Sequence, residues 1–195
     1  LKDLRQEGFQ PMAISSLLSK VGTSDAIDIF KNINQIIDDF DINKFGKSKP
    51  KFDKMELLNL NSKFFQLIDF DDISGQLNTL DFEITTEFWN LIKGNINTFN
   101  DIKFWWDIVY GKIKTINDDH EFTHLALKTL PNDSFDKNTW STWTSLLMKE
   151  SGRKGKDLFK PLRLCLTGQN NGPEMANLVL TMGRQKIVER LNNKN

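Results

Sequence analysis

Apolar residues recur every three or four positions along most of the chain, which is the spacing of helices with one buried face. The stripe Ala13, Leu17 and Val21 follows Pro11, a residue suited to a first helical turn. Further helical stripes run through 29–40, 57–65, 88–92, 104–113, 140–148 and 173–191. Alternating strand patterns are scarce, and the best candidates for short extended pieces are 43–52 and the first few residues. The pattern predicts an all-α fold with short connections and at most short strands.

Several residues predict where these helices begin and end. Asp53 can cap a helix start, and Pro173 can open a helix. Gly152 can end a helix, and Gly183 can interrupt one.

Composition narrows the class of protein. The chain has 195 residues, of which 38% are hydrophobic and 27% charged, which excludes a disordered chain and a collagen. We expect no membrane-spanning helix, because no apolar run approaches about 18 residues. The single Cys165 excludes an intrachain disulfide and is typical of a reducing compartment. No signal peptide is visible, and because the chain opens with Leu1 we expect a piece of a longer protein.

The charge balance is uneven. Residues 1–148 carry 16 Lys and Arg against 22 Asp and Glu, a net charge of −6, whereas residues 149–195 carry 10 against 4, a net charge of +6. A basic end on an acidic body indicates either a polyanion partner or a random scatter of charge. A second basic run surrounds Pro50 and includes Lys47, Lys49 and Lys51. It is either a solvated linker or a phosphate contact.

The basic end combines several features of a single-stranded RNA site. Gly152–Gly168 reads GRKGKDLFKPLRLCLTG and is followed by an Asn-Asn-Gly-Pro-Glu turn at 170–174. Glycines let a backbone approach a ligand closely, and Lys and Arg neutralise phosphates. The guanidinium of Arg163 can read a base edge or stack on a base. A generic basic loop is the alternative interpretation.

A pair of histidines forms a formal H-E-x-x-H match at His120–His124. On a helix the two imidazoles would lie one turn apart, as in zinc hydrolases. The chain has no further histidine for a third ligand, so we predict no metal site and interpret the pair as surface residues.

The tryptophans Trp105, Trp106, Trp140 and Trp143 are either stacking platforms or core residues. Their helical spacing favours the core.

The motifs of both ends resemble bacterial glutamyl-tRNA synthetases. Residues 152–168 are similar to that family's G-x-K-G-K-x-L-F-x-P-L-R-x-A-L-T-G pattern, and 172–174, 183–184 and 188–191 fit the stretches that follow. Residues 8–14 (GFQPMAI), 40–42 (FDI), 47–53 (KSKPKFD) and 60–61 (LN) fit the family's earlier segments in the same order.

This resemblance implies a tRNA-binding piece of an enzyme that attaches glutamate to tRNA(Glu) with ATP. The HIGH and KMSKS signatures of catalysis are absent, so the chain itself is expected to be inactive and to hold no cofactor, whereas the parent enzyme would use ATP and magnesium. The implied organisation is a stem-contact region at 1–62, a helical anticodon-binding subdomain at 63–129 and a C-terminal one at 130–195. The implied partner is tRNA, not DNA or a membrane, and family members are cytoplasmic and mostly monomeric.

The resemblance also implies residue roles. Arg163 matches an arginine that contacts the third anticodon base, with Pro173 and Met175 packed around that base and Thr167 nearby. Asn95 aligns with an arginine that discriminates at the first anticodon base in many members. The implied phosphate contacts are Lys47, Lys49, Lys51, Lys154, Lys156 and Lys160.

Three alternatives remain open at this point. Asn95 in place of arginine makes a paralogue that glutamylates tRNA(Gln) conceivable. A helical protein-interaction scaffold would make the basic end incidental. A zinc hydrolase would require His120 and His124 to bind metal.

Overall fold

The architecture is that of a computed structural model, which describes residues 1–47 and 49–192. Its α-helices are α1 (Lys2–Gln6), α2 (Pro11–Lys20), α3 (Ile33–Asp39), α4 (Lys54–Leu67), α5 (Phe70–Leu77), α6 (Thr86–Ile92), α7 (Asp101–Val109), α8 (His120–Thr129), α9 (Thr139–Ser151), α10 (Lys156–Thr167) and α11 (Met175–Asn192). No β-strand occurs in these described ranges, which confirms the all-α prediction. No helix in them is both long enough and apolar enough to span a bilayer.

The chain divides into two compact units, Leu1–Ile102 and Lys103–Asn195, called here the first and second units. The division falls inside α7. The functional regions predicted at 1–62, 63–129 and 130–195 stay predictions.

The first unit is built around the packing of α2 on α4. Ala13 and Leu17 of α2 and Leu57 of α4 are completely buried in this core, as the apolar spacing predicts. The predicted cap at Asp53 is confirmed, because its carboxylate accepts the Met55 backbone N–H at 2.8 Å. The buried amide of Asn61 accepts the Gln10 backbone N–H at 2.7 Å, which fixes the entry to α2.

The stripe at 29–40 forms less helix than its spacing predicts. Helix α3 begins only at Ile33, after Asn32, whose side chain accepts the Gln35 N–H at 3.1 Å. The Phe30 N–H instead donates to the Ser16 hydroxyl of α2 at 3.0 Å. The cap at Asn32 therefore sets the helix start later than the apolar spacing predicts. The extended piece expected at 43–52 also begins differently, with a 3-10 helix at Ile42–Lys44. The extended piece expected in the first few residues is wrong, because Lys2–Gln6 forms α1.

The second unit is a bundle in which α8, α9, α10 and α11 pack on one another. Trp143 of α9 is completely buried, and its indole N–H donates to the Ala126 carbonyl of α8 at 2.9 Å. Gly152 ends α9 in a left-handed conformation (φ 67°), and Gly183 kinks α11 (φ 71°), as predicted. Helix α11 begins at Met175, two residues after the predicted start at Pro173.

Arg190 is a buried cation in this bundle. Its Nη2 donates to the carbonyls of Ile108 and Gly111, each at 3.0 Å. Carbonyls at the C-terminal end of α7 need partners, and the guanidinium supplies them. This basic residue is therefore held inside the bundle and faces no solvent, and its Nε and Nη1 have no hydrogen-bond acceptor among the described residues.

Candidate nucleic-acid interface

Helix α10 presents three cationic side chains and one aromatic ring on one face. Lys156, Phe159, Lys160 and Arg163 follow one another at spacings of three, one and three, and together they are called the α10 stripe. The opposite face buries Leu158, Leu162 and Leu166 completely, so the amphipathic pattern turns the stripe outward. The stripe and the turn residues Asn170 and Asn171 line a cleft of about 370 Å³.

Arg163 is half-buried at the base of this cleft. Its Nη2 donates to the Pro173 carbonyl at 3.0 Å, which holds the guanidinium in place. Its Nη1 is buried and has no hydrogen-bond acceptor among the residues that the structure describes. Burial lowers the pKa of Arg163, but an arginine stays protonated at neutral pH. The site therefore contains a cation anchored by one hydrogen bond, with a second donor that is costly to leave unpaired unless water or a ligand accepts from it.

The turn beside Arg163 is held by Thr167. This side chain is completely buried, and its hydroxyl donates to the Arg163 carbonyl at 2.8 Å and accepts the Gln169 N–H at 3.0 Å. In this geometry Thr167 positions the turn, and its place near a base stays a prediction.

Gly172 allows the same turn to lie on a buried indole. A Cβ at this position, where φ is 148°, would lie 2.2 Å from Cη2 of Trp105. Pro173 and Met175 follow and are both buried, so they form the wall of the turn. Their predicted packing around a base stays a prediction.

The other predicted phosphate contact of the basic end is Lys154, which is exposed, like Lys156 and Lys160. Arg153 differs, because its Nη2 lies 2.6 Å from the Asp119 carboxylate and its guanidinium covers the Phe122 ring at 4.7 Å. The Phe122 N–H and Arg153 both hold the pKa of Asp119 below its usual range. Arg153 is thus committed to the fold, whereas the three lysines face solvent.

The first unit carries the remaining predicted contacts. Lys47, Lys49 and Lys51 are exposed in the segment before α4, and Ser48 lies outside the described residues. The Gly46 N–H donates to the Gly22 carbonyl at 2.8 Å, which ties the start of this segment to the end of α2. Asn95 is exposed in the turn after α6, where its N–H donates to the Ile92 carbonyl at 2.7 Å.

The histidine pair lies at the start of α8. His120 and His124 are both exposed, and within 1–47 and 49–192 no three His, Cys, Asp or Glu side chains form a metal-ligand cluster. A catalytic zinc uses three protein ligands, and two imidazoles do not supply them.

The tryptophans are mainly core residues, as their spacing predicts. Trp105 and Trp143 are buried, and Trp106 and Trp140 are half-buried. Sequence reasoning missed Phe159, whose ring is 38% exposed in the cleft. The signal was present, because Phe159 shares a helical face with Lys156, Lys160 and Arg163.

Comparisons with known proteins lead to the same family as the sequence motifs. The chain is 40% identical over 194 residues to glutamate--tRNA ligase 1 of Ehrlichia chaffeensis, covering 98% of this chain and 43% of that protein. It is 37% identical over 192 residues to glutamate--tRNA ligase 1 of Maricaulis maris, with the same coverage of 98% and 43%. The chain thus spans less than half the length of these relatives. They confirm the resemblance to glutamyl-tRNA synthetases.

Two solved structures have a similar fold. A crystal structure of a glutamate tRNA ligase from Elizabethkingia meningosepticum matches 97% of this chain and 41% of its own, with a TM-score of 0.78 at 19% identity. The glutamate-tRNA synthetase from Elizabethkingia anophelis matches the same shares, 97% and 41%, with a TM-score of 0.76 at 20% identity. A family profile described as "Anticodon binding domain" matches residues 56–194, which is most of the chain. The chain therefore belongs to the anticodon-binding domain family.

Proposed function

We propose that this chain binds the anticodon arm of a tRNA and is the tRNA-recognising part of a glutamate–tRNA ligase, a class I aminoacyl-tRNA synthetase. The observation that carries the proposal is the fixed guanidinium of Arg163, whose buried Nη1 lacks an acceptor in the described structure. An unpaired base offers such an acceptor on its edge, and in RNA the bases of loops are the ones that proteins read.

The charges around Arg163 support two separate roles, phosphate contact and base recognition. Lys154, Lys156 and Lys160 are exposed point charges, which suit phosphates and carry no sequence information. Arg163 has a planar fork in a fixed position, which suits a base edge. Pro173, Met175 and Thr167 shape the turn that faces it. Lys47, Lys49 and Lys51 are proposed to contact the phosphates of the tRNA stem.

The chemistry of the proposed parent requires ATP and magnesium, and the residues of this chain fit neither. The HIGH and KMSKS signatures are absent from the sequence, and no metal-ligand cluster forms within the described ranges. The chain is therefore proposed to recognise tRNA without catalysing the reaction. We further propose that the parent acts in the cytoplasm as a monomer.

The charged tRNA is proposed to be tRNA(Glu). The alternative is a paralogue that glutamylates tRNA(Gln). Asn95 supports this alternative, because an exposed amide replaces the guanidinium that reads the first anticodon base in many family members.

Binding of labelled tRNA across a salt series tests the proposal. The chain is titrated into tRNA(Glu), tRNA(Gln) and an unrelated tRNA, and fluorescence anisotropy gives each affinity. We expect salt-dependent binding that is strongest for tRNA(Glu). A preference for tRNA(Gln) would instead select the paralogue. Absence of binding by the folded chain at low salt would contradict the proposal and favour a protein-interaction scaffold.

A further inference from the structure

An aromatic ring lies in the middle of the α10 stripe. Phe159 is 38% exposed, less than Phe40, Phe52 and Phe104, so the feature that distinguishes it is its position among cationic side chains. Lys156 lies one turn before it, Lys160 follows it directly, and Arg163 lies one turn after it. Leu158, the preceding residue, is completely buried, so the exposure of Phe159 is specific to this face.

The inner side of the ring rests on a chain of tryptophans. Phe159 packs on Trp140 with the ring centres 6.1 Å apart and an angle of 34° between the planes. Trp140 meets Trp143 edge-on at 6.0 Å, and Trp143 is anchored by its hydrogen bond to Ala126. One side of the Phe159 ring is therefore packed, and the side chain is partly exposed in the cleft. A preformed platform loses little conformational entropy on binding.

The cleft over the ring has mixed chemistry. Two lysines, two asparagines and Arg163 line it together with Phe159: Lys156, Lys160, Asn170 and Asn171 are these other residues. A ligand matched to these groups is planar and aromatic, has polar edges and is attached to an anionic backbone. An unpaired nucleotide has this combination, since every base has a face that stacks on an aromatic side chain.

We propose that Phe159 stacks on an unpaired base of the anticodon loop, beside the base whose edge Arg163 reads. This inference rests on the proposed tRNA binding and adds a contact that depends on ring stacking. Stacking is tolerant of base identity, so Phe159 supplies affinity and orientation, whereas Arg163 supplies discrimination.

A double-mutant cycle between ring and base tests the stacking. The full chain is titrated into RNA hairpins with the anticodon loop of tRNA(Glu), either intact or lacking one loop base at a time. Phe159→Leu keeps an apolar contact with Trp140 and removes the aromatic face. We expect it to bind the intact hairpin roughly tenfold more weakly, and Phe159→Trp to bind like the original chain.

The coupling identifies the stacked base. At one loop position, removal of the base should weaken binding to the original chain roughly tenfold and leave binding to Phe159→Leu unchanged. Leu146→Ala is the matched control, because Leu146 is 44% exposed on α9 and does not line the cleft. Its affinity for the intact hairpin should equal that of the original chain. Circular dichroism establishes that each variant is folded.

The result that would overturn the stacking is a folded Phe159→Leu chain that binds the intact hairpin as tightly as the original. Losses that simply multiply at every loop position would overturn it as well. Failure of the original chain to bind any hairpin would overturn the proposed function and this inference together. The titration of the original chain therefore separates the two claims.

Discussion

The molecule carries two basic regions that differ in how their charges are held. In the first unit, Lys47, Lys49 and Lys51 lie on a non-helical segment, exposed and at alternate positions. In the second unit, the lysines of the α10 stripe lie on a helix whose other face is completely buried. The segment offers ammonium groups, whereas the stripe adds a fixed guanidinium and an aromatic ring.

From this difference we predict that equal charge in the two regions does not give equal function. Phosphates need only a nearby cation, which a solvated segment provides. A base edge needs donors fixed to within a fraction of an ångström, which a packed helix and turn provide. We therefore expect changes in the two regions to separate affinity from discrimination.

Gly172→Ala should produce the largest effect, because it breaks the turn on which the second unit's site depends. The new Cβ would lie 2.2 Å from buried Trp105, and the backbone conformation (φ 148°) is unfavourable for alanine. We expect a loss of about 2–3 kcal/mol in the free energy of unfolding, measured by urea denaturation. Gly75→Ala in α5 is the control, because among the described residues no atom outside its own helix turn and chain neighbours lies within 4 Å of its Cβ position. It should gain about 0.5–1 kcal/mol, and equal behaviour of the two variants would refute the packing argument.

Arg163→Ala should weaken binding of the tRNA(Glu) anticodon arm by about 2 kcal/mol. Arg163→Lys keeps the positive charge and loses the planar fork, so it should recover less than half of that loss. Isothermal titration calorimetry measures both. Full recovery by lysine would mean that position 163 acts only through its charge.

Asp119→Ala removes the cap of α8 and the partner of Arg153. We expect a loss of about 1 kcal/mol in the free energy of unfolding at pH 7. Because folding lowers the pKa of Asp119, its contribution is present at neutral pH and is lost as pH falls through that lowered value. The difference between the two proteins should therefore shrink below about pH 4.

Denaturation with urea at several pH values measures this difference. Asp133→Ala, at an exposed position between α8 and α9, should stay within about 0.5 kcal/mol of the original chain. A difference for Asp119→Ala that is constant down to pH 2 would contradict the role of the carboxylate charge.

Lys49→Ala and Lys156→Ala should have the smallest effects, one in each basic region. Each should reduce the slope of log affinity against log salt by about 1, with similar losses for every tRNA tested. Fluorescence anisotropy across a salt series measures the slopes. An unchanged slope for Lys49→Ala would show that the segment of the first unit does not contact RNA.

The sequence predicted the helical class and many boundaries, because these depend on local chemistry. The Asp53 cap and the Gly152 end involve only neighbouring residues, and the kink at Gly183 needs only its positive φ. The late start of α3 has a local signal in the cap Asn32, which the apolar spacing alone does not contain, whereas the hydrogen bond from Phe30 to Ser16, 14 positions away, was not predictable from neighbouring residues.

The residue types of the candidate site were predictable from the sequence. Which basic side chains are paired inside the fold and which line the cleft was not. Arg153, Arg163 and Arg190 all count toward the positive end of the chain. The structure uses Arg153 in an ion pair and buries Arg190 under α7 carbonyls, and Arg163 alone of these three lines the cleft with the lysines. Contacts with residues distant in the sequence decide which of these arginines are paired, and the spacing of residues along the chain does not reveal such contacts.

The most direct test compares discrimination in two variants, Arg163→Ala and the combined replacement of Lys47, Lys49 and Lys51 by alanine. The measured quantity is the ratio of affinities for the tRNA(Glu) anticodon arm and for the same arm with another anticodon. We expect the ratio to fall toward one in Arg163→Ala and to stay unchanged in the triple variant, although the triple variant binds both arms more weakly. A ratio that survives Arg163→Ala and collapses in the triple variant would contradict the assignment of base recognition to the second unit.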